Sequence, residues 1–282
     1  MRKLTSEEVE RALAAEEIIS ACPAVVAHIT ETASRTETTA RDLAKIIATD
    51  EALSAKVLKV VNSAFYGMPG EISTVTQAAI ILGLREIMSL VYSVPVGNVF
   101  GGSKADDMVA VWEHSVLTGI IAREICYLVK YPLPEEIFIA GVIHDVGRPV
   151  IYKILGEQYT ILAEETRARK LDLEDAERAL IGIPHTEAGA RLLDAWRFPG
   201  VLREAVAFHH RPVADDGLKK VAAMVYVGDK LADTPPDASF GAVLSGMLAE
   251  VVQSLGLTRR SIAEAYSRAG AAFEEVRGSF QL

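Results

Sequence analysis

The sequence predicts an all-α fold, on three observations. Apolar residues recur at helical spacing almost throughout the 282 residues, alternating β-branched runs bounded by turn residues are hard to find, and helix-start signatures precede several apolar segments. Half of the residues are apolar, enough to bury a sizeable core in one large domain or two small ones.

The N-terminal stretch "MRKLTSEEVERAL" is charged and amphipathic, without the apolar core of a signal peptide, and no uninterrupted apolar run could span a bilayer. A cytoplasmic protein with no membrane association is the expectation. Thr39 with Asp42 and Thr74 with Gln77 match capping boxes ahead of "RDLAKIIATD" and "AAIILGLREIMSLVYSV". Leu43, Ile46, Ile47, Leu53, Val57, Leu58 and Val61 follow helical spacing and read as core between N-terminal helices. Phe65 and Tyr66, beside Gly67, Pro69 and Gly70, fall at a helix end, where capping the bundle is favoured over contact with a partner.

The glycine-containing stretch "PVGNVFGGSKADD" reads as weakly structured and divides the chain into an N-terminal helical subdomain (1–95), a linker (96–107) and a second helical subdomain with C-terminal helices (108–282). Further helices are expected at about 108–130, 134–146, 185–196, 199–210 and 218–232, with two more after "TPPDAS", the last starting at Ser261 with Glu264 as a capping box.

With 29 basic against 38 acidic residues the net charge is −9, so the overall field repels nucleic acid and anionic lipid, and no Lys/Arg stripe offsets it. Cys22 and Cys126 form no CxxC pair and read as small buried apolar residues, not as a disulfide or a thiolate zinc site.

Polar residues interrupt several apolar stripes. Pro134 suits the first turn of a helix that Gly147 and Pro149 stop, which leaves His144 and Asp145 in its last turn. His144 shares its stripe with Ile137, Ala140 and Gly141, whose small side chains would let another helix come close. His114 falls with Val111, Thr118 and Ile121; His209 with Leu202, Ala205 and Val206; Asp229 with Ala222, Val225 and Tyr226. His210 adjoins His209, and His185 opens the helix "TEAGARLLDAW". Any one of these is readily a hydrogen-bonded core histidine; together, five imidazoles and two carboxylates would also suit one or two divalent metal ions, if the stripes meet. Arg148, beyond a helix end, reads as a solvated cation near the negative terminus, with stabilisation of phosphate oxygens as the alternative.

The segments "WEHS" (112–115), "HDVG" (144–147), "PHTEAGARLL" (184–193), "HH" (209–210) and "VGDKLAD" (227–233) resemble the HD-domain superfamily of metal-dependent phosphohydrolases. Leu43 to Leu84, with Asn62-Ser63-Ala64-Phe65-Tyr66-Gly67 as its most specific run, resembles the N-terminal helical region of HDOD domains, a signalling branch of that superfamily. The resemblance covers roughly residues 15–235 and implies a multi-helix HD-superfamily bundle with an N-terminal HDOD-type subdomain. It implies a bacterial regulatory module without catalysis, acting on a signalling protein partner or a small nucleotide ligand. Matched to the sister HD-GYP phosphodiesterases, the metal ligands would be His114, His144, Asp145, His185, His209, His210 and Asp229, for Fe, Mn, Ni or Zn. Three departures argue against cyclic-di-GMP cleavage: the glutamate position is Ala110, the lysine position is Arg148, and the Gly-Tyr-Pro loop is missing after "HHRPVADDG". No catalytic residue is therefore assigned, and a metal-dependent phosphohydrolase acting on a nucleotide is the alternative.

Overall fold

The computed structural model describes residues 3–14, 24–63, 66–101, 106–214, 217–234 and 247–276. They form α1 (Ser6–Leu13), α2 (Ala24–Ala33), α3 (Ala40–Ile47), α4 (Glu51–Val61), α5 (Val75–Leu82), α6 (Leu84–Gly101), α7 (Asp106–Leu128), α8 (Pro134–Ile143) and α9 (Gly147–Leu155). There follow α10 (Glu157–Ala168), α11 (Leu173–Leu180), α12 (His185–Ala195), α13 (Gly200–Phe208), α14 (Lys220–Ala232), α15 (Ala249–Ser254) and α16 (Arg259–Val276). The extended structure among the described residues is a two-residue antiparallel pair, Val213–Ala214 with Gly217–Leu218. No helix of the described residues is long and apolar enough to cross a membrane.

Local chemistry accounts for the helix starts. Thr39 and Asp42 close a complete capping box on α3. At α5 the Thr74 hydroxyl accepts from the Gln77 N–H, but the Gln77 side chain turns one residue further back, to the N–H of Ser73. α16 starts two residues earlier than Ser261, because Thr258 and Ser261 cap each other and Glu264 instead pairs with Arg260.

The N-terminal helices bury Leu43, Ile47, Leu53, Val57 and Val61 completely, with Ile46 and Leu58 half-buried. Asn62 explains the specific run that follows α4. Its amide donates to the carbonyls of Leu58 (3.0 Å) and Ile72 (2.8 Å) and accepts from the Ile72 N–H (2.7 Å), which ties the end of α4 to the approach of α5. Tyr66 packs against the core as a bundle cap; Phe65 lies outside the described residues. Asn62→Ala is expected to cost about 1–3 kcal/mol by orphaning the Ile72 amide, read from urea unfolding midpoints at unchanged slope.

The expected linker is corrected by α6, which continues through Pro95 to Gly101. Proline removes one N–H bond there, but Val91, Tyr92, Val94, Val96, Val99 and Phe100 are all buried, and that packing overrides the local glycine and proline signal. Residues 102–105 lie outside the described set, and α7 begins at Asp106. α1 docks on the second half of the chain: the Leu4 N–H donates to the Ile181 carbonyl (2.6 Å) and Arg191 pairs with Glu10.

The C-terminal half is built around α7, against which α8, α14 and α16 lie. Two crossings on it have almost no side chain between the backbones. A Cβ on Gly141 would stand 2.5 Å from the Gly119 Cα, and one on Gly228 would stand 2.8 Å from the Thr118 carbonyl oxygen. α8 and α14 thus close on the same turn of α7, the turn after His114. The stretch 147–184, for which the sequence suggested no helices, forms α9, α10 and α11, and Gly147 begins α9 instead of ending the chain's helical path. Cys126 is buried and its thiol is pushed up to about 11 by burial; Cys22 lies outside the described residues.

Candidate metal centre

The interrupted stripes meet. His144 and His209 each cap the C-terminal end of a helix, α8 and α13, so two negative helix ends point at one place. Both imidazoles are completely buried. Their Nδ1–H groups donate to carbonyls one turn back, His144 to Gly141 (2.7 Å) and His209 to Val206 (2.8 Å). His185, at the first position of α12, donates its Nδ1–H to the Glu177 carboxylate at 2.6 Å. With Nδ1 protonated, each ring turns the lone pair of Nε2 inward, the tautomer a metal ligand needs.

The nitrogen atoms then crowd one another. The Nε2 of His185 lies 3.3 Å from that of His209 and 3.1 Å from that of His210. Asp145 supplies Oδ1 at 3.3 Å from His185 and 3.8 Å from His209, and Oδ2 at 3.6 Å from the Nε2 of His144. On the other side, Asp229 Oδ1 is 3.0 Å from His114 and 3.6 Å from His144. His114 is turned by Asp233, 3.5 Å from its Nδ1. All seven residues singled out in the sequence therefore converge, in overlapping sets whose ligand atoms lie within 4.8 Å of one another. His28 is exposed on α2, away from them.

Charge is distributed unevenly. Burial works to raise the pKa of Asp145, but His144, Arg148, His185 and His209 outweigh it and hold the carboxyl well below the usual range. Asp229 is likewise low, burial being overcome by Lys230 and His114. Burial and the surrounding imidazoles push His209 well down and His210 down. His185 moves up, because Glu177 outweighs its burial, and His114 moves up through Asp229 and Asp233 against its own burial.

These residues fit a divalent ion. A single proton on His185 could satisfy one of its two close nitrogen neighbours, whereas a divalent cation would meet all three lone pairs. Among the candidate ligands, the buried Nε2 of His144 and Oδ2 of Asp229 have no hydrogen-bond partner, and buried polar atoms are seldom left so. The nitrogen and carboxylate donor set suits Fe, Mn, Ni or Zn.

Arg148 is not the solvated cation its position after a helix suggested. Its guanidinium is 13% exposed and donates to Asp145 Oδ2 at 2.9 Å, because the chain turns directly into α9 and folds Arg148 back over the carboxylate. Glu177 is a functional residue that helical spacing did not reveal. Fully buried on α11, it accepts from the N–H and Nδ1–H of His185 and from the Tyr159 hydroxyl (2.5 Å). Its helix buries Glu174 and Glu177 while leaving Leu180 48% exposed, so no apolar stripe marks it. A cleft of about 290 Å³ opens over the cluster, and Arg148, Arg167, Lys170 and Lys230 are among its lining residues.

A match to the HDOD domain family runs over residues 19–212, more than two thirds of the chain, and the protein belongs to that family. Over 186 residues it is 28% identical to an uncharacterized protein of Treponema pallidum (strain Nichols); the match covers 65% of this chain and 36% of that protein, so the chain spans about a third of the relative's length. Among solved structures, an HDOD domain protein of unknown function from Geobacter sulfurreducens superposes with a TM-score of 0.76 at 22% identity, over 98% of this chain and 99% of that one. A candidate phosphohydrolase from Shewanella amazonensis SB2B gives 0.71 at 21% identity, over 95% and 99%. A candidate signal transduction protein from Marinobacter aquaeolei VT8 gives 0.76 at 18%, over 98% of this chain and 65% of that one. At these identities the likeness establishes a shared fold and leaves the chemistry to the residues present.

Proposed function

We propose that this HDOD protein is a regulatory signalling module whose His/Asp cluster holds one or two divalent transition-metal ions, and that it works by binding a protein partner or a small nucleotide without turning it over. The observation that carries the metal is the convergence of three Nε2 atoms, on His185, His209 and His210, within 3.1–3.3 Å of one another along two contacts. A bound ion would supply electrostatic attraction for a phosphate oxygen, and the cleft cations Arg167 and Lys170 would hold further anionic groups.

Two features favour binding over hydrolysis. Position 110, where the hydrolytic relatives' pattern has a glutamate, is alanine, and Arg148 already engages an oxygen of Asp145 that would otherwise be free for a second ion. The second reading, a metal-dependent phosphohydrolase, rests on the basic side chains of the cleft, Arg148, Arg167, Lys170 and Lys230, which stand among its aspartates and would, beside a metal, also stabilise charge developing on a phosphoryl group.

Protein purified without chelators is expected to contain transition metal, and Mn²⁺ or Fe²⁺ added to chelated protein to raise its melting temperature. At a hundredfold excess over Kd the gain is about 2.7 kcal/mol. Folded protein that neither contains metal nor gains stability from it defeats the metal reading. Turnover of any cyclic or linear nucleotide by the metal-loaded protein, lost in His144→Ala, replaces the regulatory reading with the hydrolytic one.

A further inference from the structure

The metal centre is not one symmetrical site. Its ligands fall into a histidine lobe, made by His185, His209 and His210 with Oδ1 of Asp145, and a carboxylate lobe, made by His114, His144 and Asp229 with Oδ2 of Asp145. The two lobes treat positive charge differently. In the histidine lobe, the Nε2 atoms of His209 and His210 each face that of His185, and the Asp145 oxygen that serves them is not the one holding the Arg148 hydrogen bond. In the carboxylate lobe each acid has a cation of the protein beside it, hydrogen-bonded at Asp145 and at ion-pair distance at Asp229. Arg148 holds Asp145 Oδ2 at 2.9 Å, and the Lys230 ammonium stands 3.3 Å from Asp229 Oδ2. Asp229 Oδ1 is taken up as well, by His114 at 3.0 Å.

We propose that the lobes fill in sequence: one transition-metal ion enters the histidine lobe tightly, and a second enters the carboxylate lobe weakly, because Arg148 and Lys230 occupy the charge it would need. This rests on the metal reading above and goes beyond it by assigning the order of filling and the two residues that set it. Coulomb repulsion acts in the same direction. A second dication must stand within a few ångströms of a guanidinium that is 13% exposed and an ammonium that is 30% exposed, where water screens little. The first ion meets Arg148 at one remove, across the Asp145 carboxylate whose other oxygen the guanidinium holds. A two-ion state would supply more charge stabilisation to a phosphate group than a one-ion state, so Arg148 and Lys230 act as guards on the step between them. An anionic ligand that draws either side chain away from its carboxylate would favour entry of the second ion, which couples ligand and metal reciprocally.

The test is a Mn²⁺ titration of the chelated full chain, followed by calorimetry and by the electron paramagnetic resonance signal of free Mn²⁺. Wild type is expected to take up one equivalent, then a second at least about tenfold more weakly. Arg148→Gln and Lys230→Gln should each strengthen the second step by about tenfold and move the first step by clearly less. Arg148→Lys, which keeps the charge, should leave both steps as in wild type. Lys230 stands at the cleft rim, so Lys230→Gln tests the idea even if Arg148→Gln fails to fold. Two equal steps, or a second step that neither glutamine variant moves, would overturn the sequence of filling. Absence of any uptake by folded wild type, or uptake indifferent to His209→Ala, would instead overturn the metal site itself.

Discussion

Gly147→Ala is expected to destabilise the protein by about 3 kcal/mol, the upper range for overpacking, and to weaken metal binding with it. A Cβ at this position would lie 1.9 Å from the His185 carbonyl oxygen and 2.7 Å from the Gly189 N–H nitrogen. Both obstacles are backbone, so no rotamer change relieves them, and α9 must move off α12. That displacement separates Asp145, two residues before Gly147, from His185, the first residue of α12, and these two meet at 3.3 Å in the histidine lobe. Urea unfolding gives the stability loss and Mn²⁺ titration the affinity loss. Gly70→Ala is the control, since a Cβ there meets nothing within 4 Å, and the substitution should be neutral or slightly stabilising through the unfolded chain. Equal behaviour of the two variants would remove the argument from close helix approach.

Glu177→Ala is expected to cost about 3 kcal/mol, the lower range for breaking a buried ionic contact, and to lower metal affinity about 10–100-fold. Three donors converge on its carboxylate: the N–H and Nδ1–H of His185 and the hydroxyl of Tyr159. Without it all three are orphaned in a dry interior, and His185 loses the bond that keeps its proton on Nδ1. Glu177→Gln keeps the shape and one acceptor oxygen, so it should retain most of the stability while still losing affinity, because its NH₂ group opposes an N–H donor. Calorimetric titration separates the two effects; an unchanged Mn²⁺ affinity in folded Glu177→Gln would mean that Glu177 supports the helix packing only.

The legible part of the site was that in which a polar side chain breaks an apolar stripe. His114, His144, His209 and Asp229 were placed by neighbours such as Thr118, Ile137, Val206 and Val225, and all of those neighbours are buried. That the stripes met was not in the periodicity. It depends on Gly119, Gly141 and Gly228, which bring three helices to backbone contact, and of these only Gly141 lies on the stripe of one of the seven polar residues. Arg148 was misread because Gly147 and Pro149 look like a stop, yet both sit in the first turn of α9, where a missing side chain and a missing N–H cost little. Glu177 was missed because the buried face of α11 is acidic. The stretch after Pro95 was misread for the opposite reason, since buried valines hold a helix that its proline and glycines disfavour.

The hydrogen bond between His114 and Asp229 joins residues 115 positions apart, and Arg268 of α16 reaches back over 144 positions to Glu124 of α7. A growing polypeptide cannot complete the carboxylate lobe until α14 has emerged from the ribosome, so the full ligand set forms only after residue 229 has been made. A nascent or proteolytically clipped fragment ending before Asp229 holds at most the histidine lobe, so loading of the second lobe reports that the polypeptide extends through α14.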